Sequence, residues 1–423
     1  MRTAFTPTQL TDPHLVDAEK NLRACVHCGI CTATCPTYVL LGDERDGPRG
    51  RIVLMQNMLQ KGGAPDAETV KHVDRCLSCL ACRTACPSSV DYARLVDEAR
   101  SHIQTHYRRP LGDKLLRWLL ATVMPRPSLT RAGLFLARLA GPLTALLPGR
   151  LRVLAQMGAA MPLHGPASPP RAILANARRI ALMPGCVQAA IAPDIDAAVA
   201  RVLARRGIEL VPLEGAGCCG ALLHHLGRSE DAKNWARRAI EAFEHAGSGV
   251  EGVLITATGC SSHLKDLSHL FLDDPNWLGR ARAFAAASRD FLDLAAPGPA
   301  LAPRHLRVAW HAACSLQNGL KLAGKAEALL DAAGFEVAGI PEGHLCCGSA
   351  GSYAILQPQI AGALRSRKLG NIAATEADIV ATGNIGCLSH LSGADAPPVV
   401  HLAELIDWTE GGPVPVALAA RVG

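Results

Sequence analysis

The sequence predicts an α+β protein: a mostly helical N-terminal domain, then a duplicated α/β unit built on parallel sheets. Three observations predict it. Two short cysteine runs of identical spacing lie near the N-terminus. A second set of cysteines recurs at a nearly constant offset in the C-terminal half. In that half, apolar runs of strand length alternate with helical stretches, the pattern of a parallel sheet covered by helices.

The chain divides accordingly. Residues 1–109 hold the two runs, 110–170 form a cysteine-free helical linker, and 171–300 and 301–423 are the two repeats. Hydrophobic residues make up 49% and charged residues 19%, enough for a large core and against global disorder. The net charge of +6 is spread without a block of like charges, and aromatics are only 4%. Both argue against a nucleic-acid partner. The mild basicity suits an anionic membrane surface or an acidic partner. Sixteen closely grouped cysteines suit metal ligation in a reducing, cytoplasmic setting better than disulfides. Met1 to Lys20 lacks the apolar core of a signal peptide, and no stretch of 18 apolar residues predicts a membrane span.

The first run is Cys25, Cys28, Cys31, Cys35, Pro36; the second is Cys76, Cys79, Cys82, Cys86, Pro87. Both match C-x2-C-x2-C-x3-C-P, the bacterial pattern for two [4Fe–4S] clusters. Three cysteines two residues apart present three thiolates to one cubane. The fourth begins a helix that leads away, and it ligates the other cluster. The expected ligand sets are therefore Cys25, Cys28, Cys31 and Cys86 for one cluster, and Cys76, Cys79, Cys82 and Cys35 for the other. Two zinc sites or a disulfide knot would not call for two copies, each with its proline. His27 is surplus to four thiolates.

The insert between the runs carries Pro48-Arg49-Gly50-Arg51-Ile52 and a helix over Arg51–Lys61. It resembles the helical ferredoxin module of respiratory iron–sulfur subunits, including those of succinate dehydrogenase and heterodisulfide reductase. Arg49 and Arg51 either bring positive charge to an anionic cluster or open a solvated helix. In the linker, Leu115–Leu120 and Leu134–Leu139 read as amphipathic helices punctuated by Pro125, Pro127, Pro142 and Pro148. They pack between domains or on a partner, or lie in a membrane interface.

In the repeats, Cys186, Cys218 and Cys219 recur at Cys314, Cys346 and Cys347, each 128 residues on. Cys260 and His263 recur at Cys387 and His390, 127 residues on. Strands are expected over Arg179–Pro184, Glu209–Leu213 and Gly252–Thr256, then over Leu306–His311, Glu336–Ile340 and Asp378–Thr382. Helices are expected over Asp194–Arg206 and Gly319–Ala333. The cysteines fall in loops after strands, where open parallel sheets place their sites. Gly220 and Gly348 let the backbone turn after each Cys-Cys pair.

These repeats look like the CCG domain of heterodisulfide reductase subunits. That resemblance implies five cysteines, ending in C-x-x-C, around an unusual [4Fe–4S] cluster. This sequence departs from it: His263 and His390 stand where the last cysteine would be. The candidate sites are Cys186, Cys218, Cys219, Cys260 and His263, and Cys314, Cys346, Cys347, Cys387 and His390. Each repeat holds a further iron–sulfur cluster, or both share one, or the cysteines serve as packing turns. His224, His225 and His311 either couple protons to electron transfer or are ordinary buried histidines. Lys265 and His269 stand near the loop after the third strand.

The order of modules resembles the iron–sulfur subunit of bacterial glycolate oxidase along essentially the whole chain. The Pro-Arg-Gly-Arg-Ile segment, Gly217–Leu222 and Cys347–Gly351 all match that expectation. The resemblance implies FAD-containing partner subunits that oxidise glycolate to glyoxylate, and electron delivery to a quinone. It implies a place on the inner face of the cytoplasmic membrane. No G-x-G-x-x-G opens a helix after a strand, so no catalytic or dinucleotide site is expected on this chain. The alternatives are the equivalent subunit of a lactate or glycerol-3-phosphate dehydrogenase, or a disulfide reductase of the heterodisulfide type.

Overall fold

A computed structural model describes residues 1–140 and 177–419, apart from 248, 299 and 302–304, with five helical positions between 150 and 158. Pro142, Pro148 and most of the second half of the expected linker lie outside the described residues.

The N-terminal part is helical. Asp12 caps α1 (Pro13–Ala24) by accepting from the backbone N–H of His14, and Cys25 follows at the helix end. Cys35 is the N-cap of α2 (Pro36–Leu41), with the proline at the first helical position, where its missing N–H costs nothing. Helix α3 (Pro48–Lys61) starts three residues earlier than expected for the same reason. Helices α4 (Ala67–Asp74), α5 (Ala81–Thr84) and α6 (Tyr92–His106) complete the domain. Ile52, Met55 and Leu59 pack against Val73, Leu95 and Ala99 in one core. The expectation fails at Cys86. Pro87 to Ser89 form a turn there, with Ser89 at φ 53°, and α6 begins only at Tyr92.

Helices α7 (Leu111–Val123) and α8 (Pro127–Leu139) follow. Leu116 and Leu120 of α7 join the core of the first repeat, and Leu134 of α8 packs with Ile191 and Ile195. Their outer faces leave Leu111, Leu115, Trp118, Phe135, Leu136 and Leu139 exposed.

Each repeat is a four-stranded, all-parallel sheet. The first has order β2-β1-β3-β4, from β1 (Arg178–Leu182), β2 (Ile208–Pro212), β3 (Val250–Leu254) and β4 (Ser288–Arg289). The second has order β6-β5-β7-β8, from β5 (Arg307–His311), β6 (Glu336–Ala338), β7 (Ile379–Thr382) and β8 (Val399–His401). The chain leaves β1 in one direction and returns on its other side as β3; β5 and β7 do the same. Such a reversal opens a crevice at the carboxyl ends of the two central strands.

Two features differ from expectation. Strands β4 and β8 have only two and three residues, too few to show a period. The stretch over Gly319–Ala333 breaks into a π-helical turn, Ser315–Leu320, and a helix, Ala323–Ala332, with Lys321 at φ 59° between them. The break lets Asn318 reach the N-terminal domain. The repeats are locked together by Arg201 and Arg205 on the buried carboxylate of Asp407 (2.6 and 2.8 Å) and by Arg206 on Glu410 (2.6 Å).

Candidate metal centres

The two N-terminal runs adopt the same backbone turn. The second and fourth residues after the first cysteine are left-handed in both: His27 and Gly29 at φ 58° and 84°, Ser78 and Leu80 at 51° and 58°. Three of these four residues carry a side chain, so the loops hold strain of about 1–3 kcal/mol per residue. Strain of this kind persists where the loop must wrap something. In the second run the turn brings the Ser78 N–H to within 3.5 Å of the Cys76 Sγ.

The thiols group across the runs. Burial, together with the nearby Cys25, Cys28 and Cys86, pushes Cys31 up to about 11. Burial likewise pushes up Cys79 and Cys82, with Cys35 and Cys76 acting on both. Cys86 lines one cleft with Cys25, Cys28 and Cys31, as does Cys82, and Cys35 lies beside Arg51. All sixteen cysteines are free. Buried thiols at such close quarters favour the protonated form unless a cation joins them, and iron supplies that charge. The donor sets therefore fit two cubanes.

Arg51 sits fully buried beside the second group. It donates to the His72 carbonyl (2.7 Å) and the Thr37 hydroxyl (3.0 Å), and its Nη1 lies 3.8 Å from the Cys35 Sγ. Burial alone would discharge it, but Cys76, Tyr92, Cys35 and Asp46 hold it charged. Asp46 is also bound by Arg75 at 2.8 Å and His72 at 2.9 Å, so this acidic spot is filled by the protein's own cations. Arg49 is partly exposed and paired to Glu44 at 2.7 Å, with its guanidinium against Gly29. Of the two arginines, Arg51 is the one driven into the core.

In the repeats the cysteines converge at the strand-order reversals. In the first, the Cys186 and Cys218 sulfurs are 3.5 Å apart, and Cys219 reaches Cys260. In the second, Cys314 and Cys346 are 3.9 Å apart and Cys347 and Cys387 3.4 Å. The Gly220 and Gly348 N–H groups point at Cys218 and Cys346 (3.4 and 3.5 Å). Gly348 is at φ 97°, and a Cβ there would meet the Ala361 carbonyl at 2.7 Å. Lys368, buried and donating to the Glu342 carbonyl at 2.9 Å, is lowered by burial but sustained by Cys347 and Cys346.

The two predicted histidines have other neighbours, though the buried His263 Nε2 has no hydrogen-bond partner. His263 faces the rings of His224 (5.6 Å) and His225 (6.4 Å), and burial holds it well below its usual range. His224 in turn lies 3.2 Å from the Asp97 carboxylate of α6. His390 sets its Nε2 3.3 Å from the Ala361 carbonyl. A different histidine meets the sulfurs: His311, the last residue of β5, has its ligand nitrogen within 4.8 Å of both Cys347 and Cys387. The duplication does not mark it, since 128 residues earlier stands Met183.

The second N-terminal group abuts the second repeat. Asn318 donates to the Cys79 carbonyl and accepts from the Thr84 hydroxyl, both at 2.9 Å. Tyr353 donates to the Arg75 carbonyl at 2.9 Å, and Leu77, Cys346 and Tyr353 share one apolar cluster with Cys79 and Cys314 at its edge. The first repeat meets the N-terminal domain through α6 instead, where Arg94 clamps Asp266 at 2.6 Å.

Residues 21–90 match the 4Fe-4S dicluster domain family, and residues 180–265 and 308–392 each match the cysteine-rich CCG domain family. The glycolate oxidase iron-sulfur subunit of Escherichia coli (strain K12) is 39% identical over 411 residues, covering 96% of this chain and 98% of that protein. The probable glycolate oxidase iron-sulfur subunit of Bacillus subtilis (strain 168) is 31% identical over 92% of this chain and 94% of its own. Lactate utilization protein A of Bacillus velezensis is 27% identical over 54% of this chain and 99% of its own length.

Proposed function

Because this chain belongs to the glycolate oxidase iron–sulfur subunit family, we propose that it relays electrons from an FAD-bearing partner, which oxidises glycolate to glyoxylate, toward a membrane quinone. The observation that carries the reading is the pair of C-x2-C-x2-C-x3-C-P runs inside the matched dicluster domain, with Cys86 in the cleft of the first run. Crossed ligation holds two clusters side by side, and each supplies one-electron chemistry when bound. Cys25, Cys28, Cys31 and Cys86 hold one; Cys76, Cys79, Cys82 and Cys35 hold the other. Arg51 offsets the negative charge of the second and favours its reduced form. Cys79 then lies against Cys314, so the second repeat is the next station. The Cys314, Cys346, Cys347 and Cys387 set, and its counterpart at Cys186, Cys218, Cys219 and Cys260, are candidates for further clusters.

Among the described residues no helix is long and apolar enough to cross a membrane. The exposed Leu111, Trp118 and Phe135 on α7 and α8 support peripheral contact with the inner membrane face. A lactate- or glycerol-3-phosphate-oxidising complex is the second reading, favoured for lactate by the match to lactate utilization protein A. Co-purification with the partner subunits, followed by dye and quinone reduction with glycolate, lactate and glycerol 3-phosphate, separates these. Cys79→Ser abolishes substrate-dependent quinone reduction; if the rate survives loss of the cluster, the relay is refuted.

A further inference from the structure

We propose that the metal centre of the second repeat takes an imidazole ligand from His311, at the end of β5, and none from His390. The proposal rests on the reading that this repeat holds iron, and it goes beyond it by naming the fifth donor.

The second repeat already gathers four sulfurs in a chain of contacts from Cys314 through Cys346 and Cys347 to Cys387. His311 closes that chain. Strand pairing sets it opposite Thr382, at the reversal between β5 and β7, three residues before Cys314. His311, Cys347 and Cys387 are 2%, 1% and 3% exposed, so no bulk water fills the space between them. The His311 Nε2 is buried and has no hydrogen-bond partner. An unpaired imidazole nitrogen in such a place is costly unless something accepts its lone pair. With two cysteine sulfurs within 4.8 Å of a ring nitrogen of His311, the three form a donor set of the kind that holds a metal ion.

His390 has the better sequence credentials and the worse position. It stands three residues after Cys387, yet its Nε2 is placed on the Ala361 carbonyl. The first repeat has no equivalent of His311, because Met183 occupies that place and is fully buried. The two centres are therefore chemically unequal. Both offer four thiolates; the neutral imidazole adds a donor without adding charge, and Lys368 sets a cation beside Cys347 and Cys346, so the second has the higher potential.

The test uses the intact protein with its partner subunits, labelled with 15N-histidine and compared with unlabelled material. Hyperfine spectroscopy is run on oxidised and dithionite-reduced samples. The wild type shows the coupling of a directly bound histidine nitrogen. His311→Met, which copies the first repeat, loses it; His390→Ala and His263→Ala keep it. Should His311→Met fail to fold, His311→Cys restores a ligand and keeps the iron while still losing the nitrogen signal. Coupling that survives in His311→Met, that vanishes in His390→Ala, or that is absent from the wild type overturns the assignment. Iron content separates the two claims. About eight irons per chain means that the repeats are empty, which refutes the premise and the ligand together. About sixteen without nitrogen coupling refutes only His311.

Discussion

The two repeats share a sheet order, a Cys-Cys-Gly turn and four cysteines in register, and yet their surroundings differ. The first borders α6, where His224, His225 and His263 gather around Asp97. The second borders the cysteine loops themselves, through Asn318 and Tyr353, and adds His311 and Lys368 at its sulfurs. A duplicated fold fixes where sulfurs converge. What packs against each copy decides which set of sulfurs lies beside the N-terminal cysteine loops.

The sharpest way to break this comparison is to remove one sulfur from each copy. Cys314→Ser should slow glycolate-dependent quinone reduction at least about tenfold more than Cys186→Ser, a difference of roughly 1.4 kcal/mol or more in barrier. Equal losses, measured on complexes with matched N-terminal cluster content, would place the two copies in parallel. Arg51 tests the approach to the second repeat. Arg51→Met should lower the midpoint potential of the adjacent cluster by on the order of 100 mV, the scale of one charge a few ångströms away at moderate dielectric. Arg51→Lys should restore most of it in the same redox titration.

The Cys-Cys-Gly turns give the next contrast. Both glycines are left-handed, but a Cβ at Gly348 meets a carbonyl at 2.7 Å, against 3.1 Å at Gly220. Gly348→Ala should cost about 3 kcal/mol and Gly220→Ala about 2 kcal/mol in denaturant unfolding. The smallest effect is at the junction. Asn318→Ala removes two hydrogen bonds between the cysteine loops and the second repeat, worth about 1–2 kcal/mol. Hydrogen exchange should rise around Cys79 and Thr84 and stay unchanged near Asp97.

Much of this was legible along the chain, because the informative spacings are local. The eight N-terminal cysteines, the strand-to-loop placement of the repeat cysteines and the helices of the linker all follow from patterns a few residues long. The misses have physical causes. Strands β4 and β8 are too short to carry a period. The Gly319–Ala333 stretch breaks at Lys321, after a turn whose Asn318 bonds at Cys79 and Thr84, more than two hundred residues upstream. His263 and His390 looked like ligands because they share the register of the cysteines. Three places along a helix keeps a side chain on the same face as the cysteine, but His390 Nε2 is taken by the Ala361 carbonyl and His263 stands among His224 and His225.

The amino-acid sequence by itself determined the modules, the duplication and the thiols, because ligand spacing and strand–turn rhythm are written in neighbouring residues. Only the tertiary structure decided that Arg51 is driven in against Cys35, that Cys79 meets the second repeat and not the first, and that His311 is the histidine at the sulfurs. Those outcomes depend on which buried groups come to share one dry space, and distances across that space have no counterpart in distances along the chain.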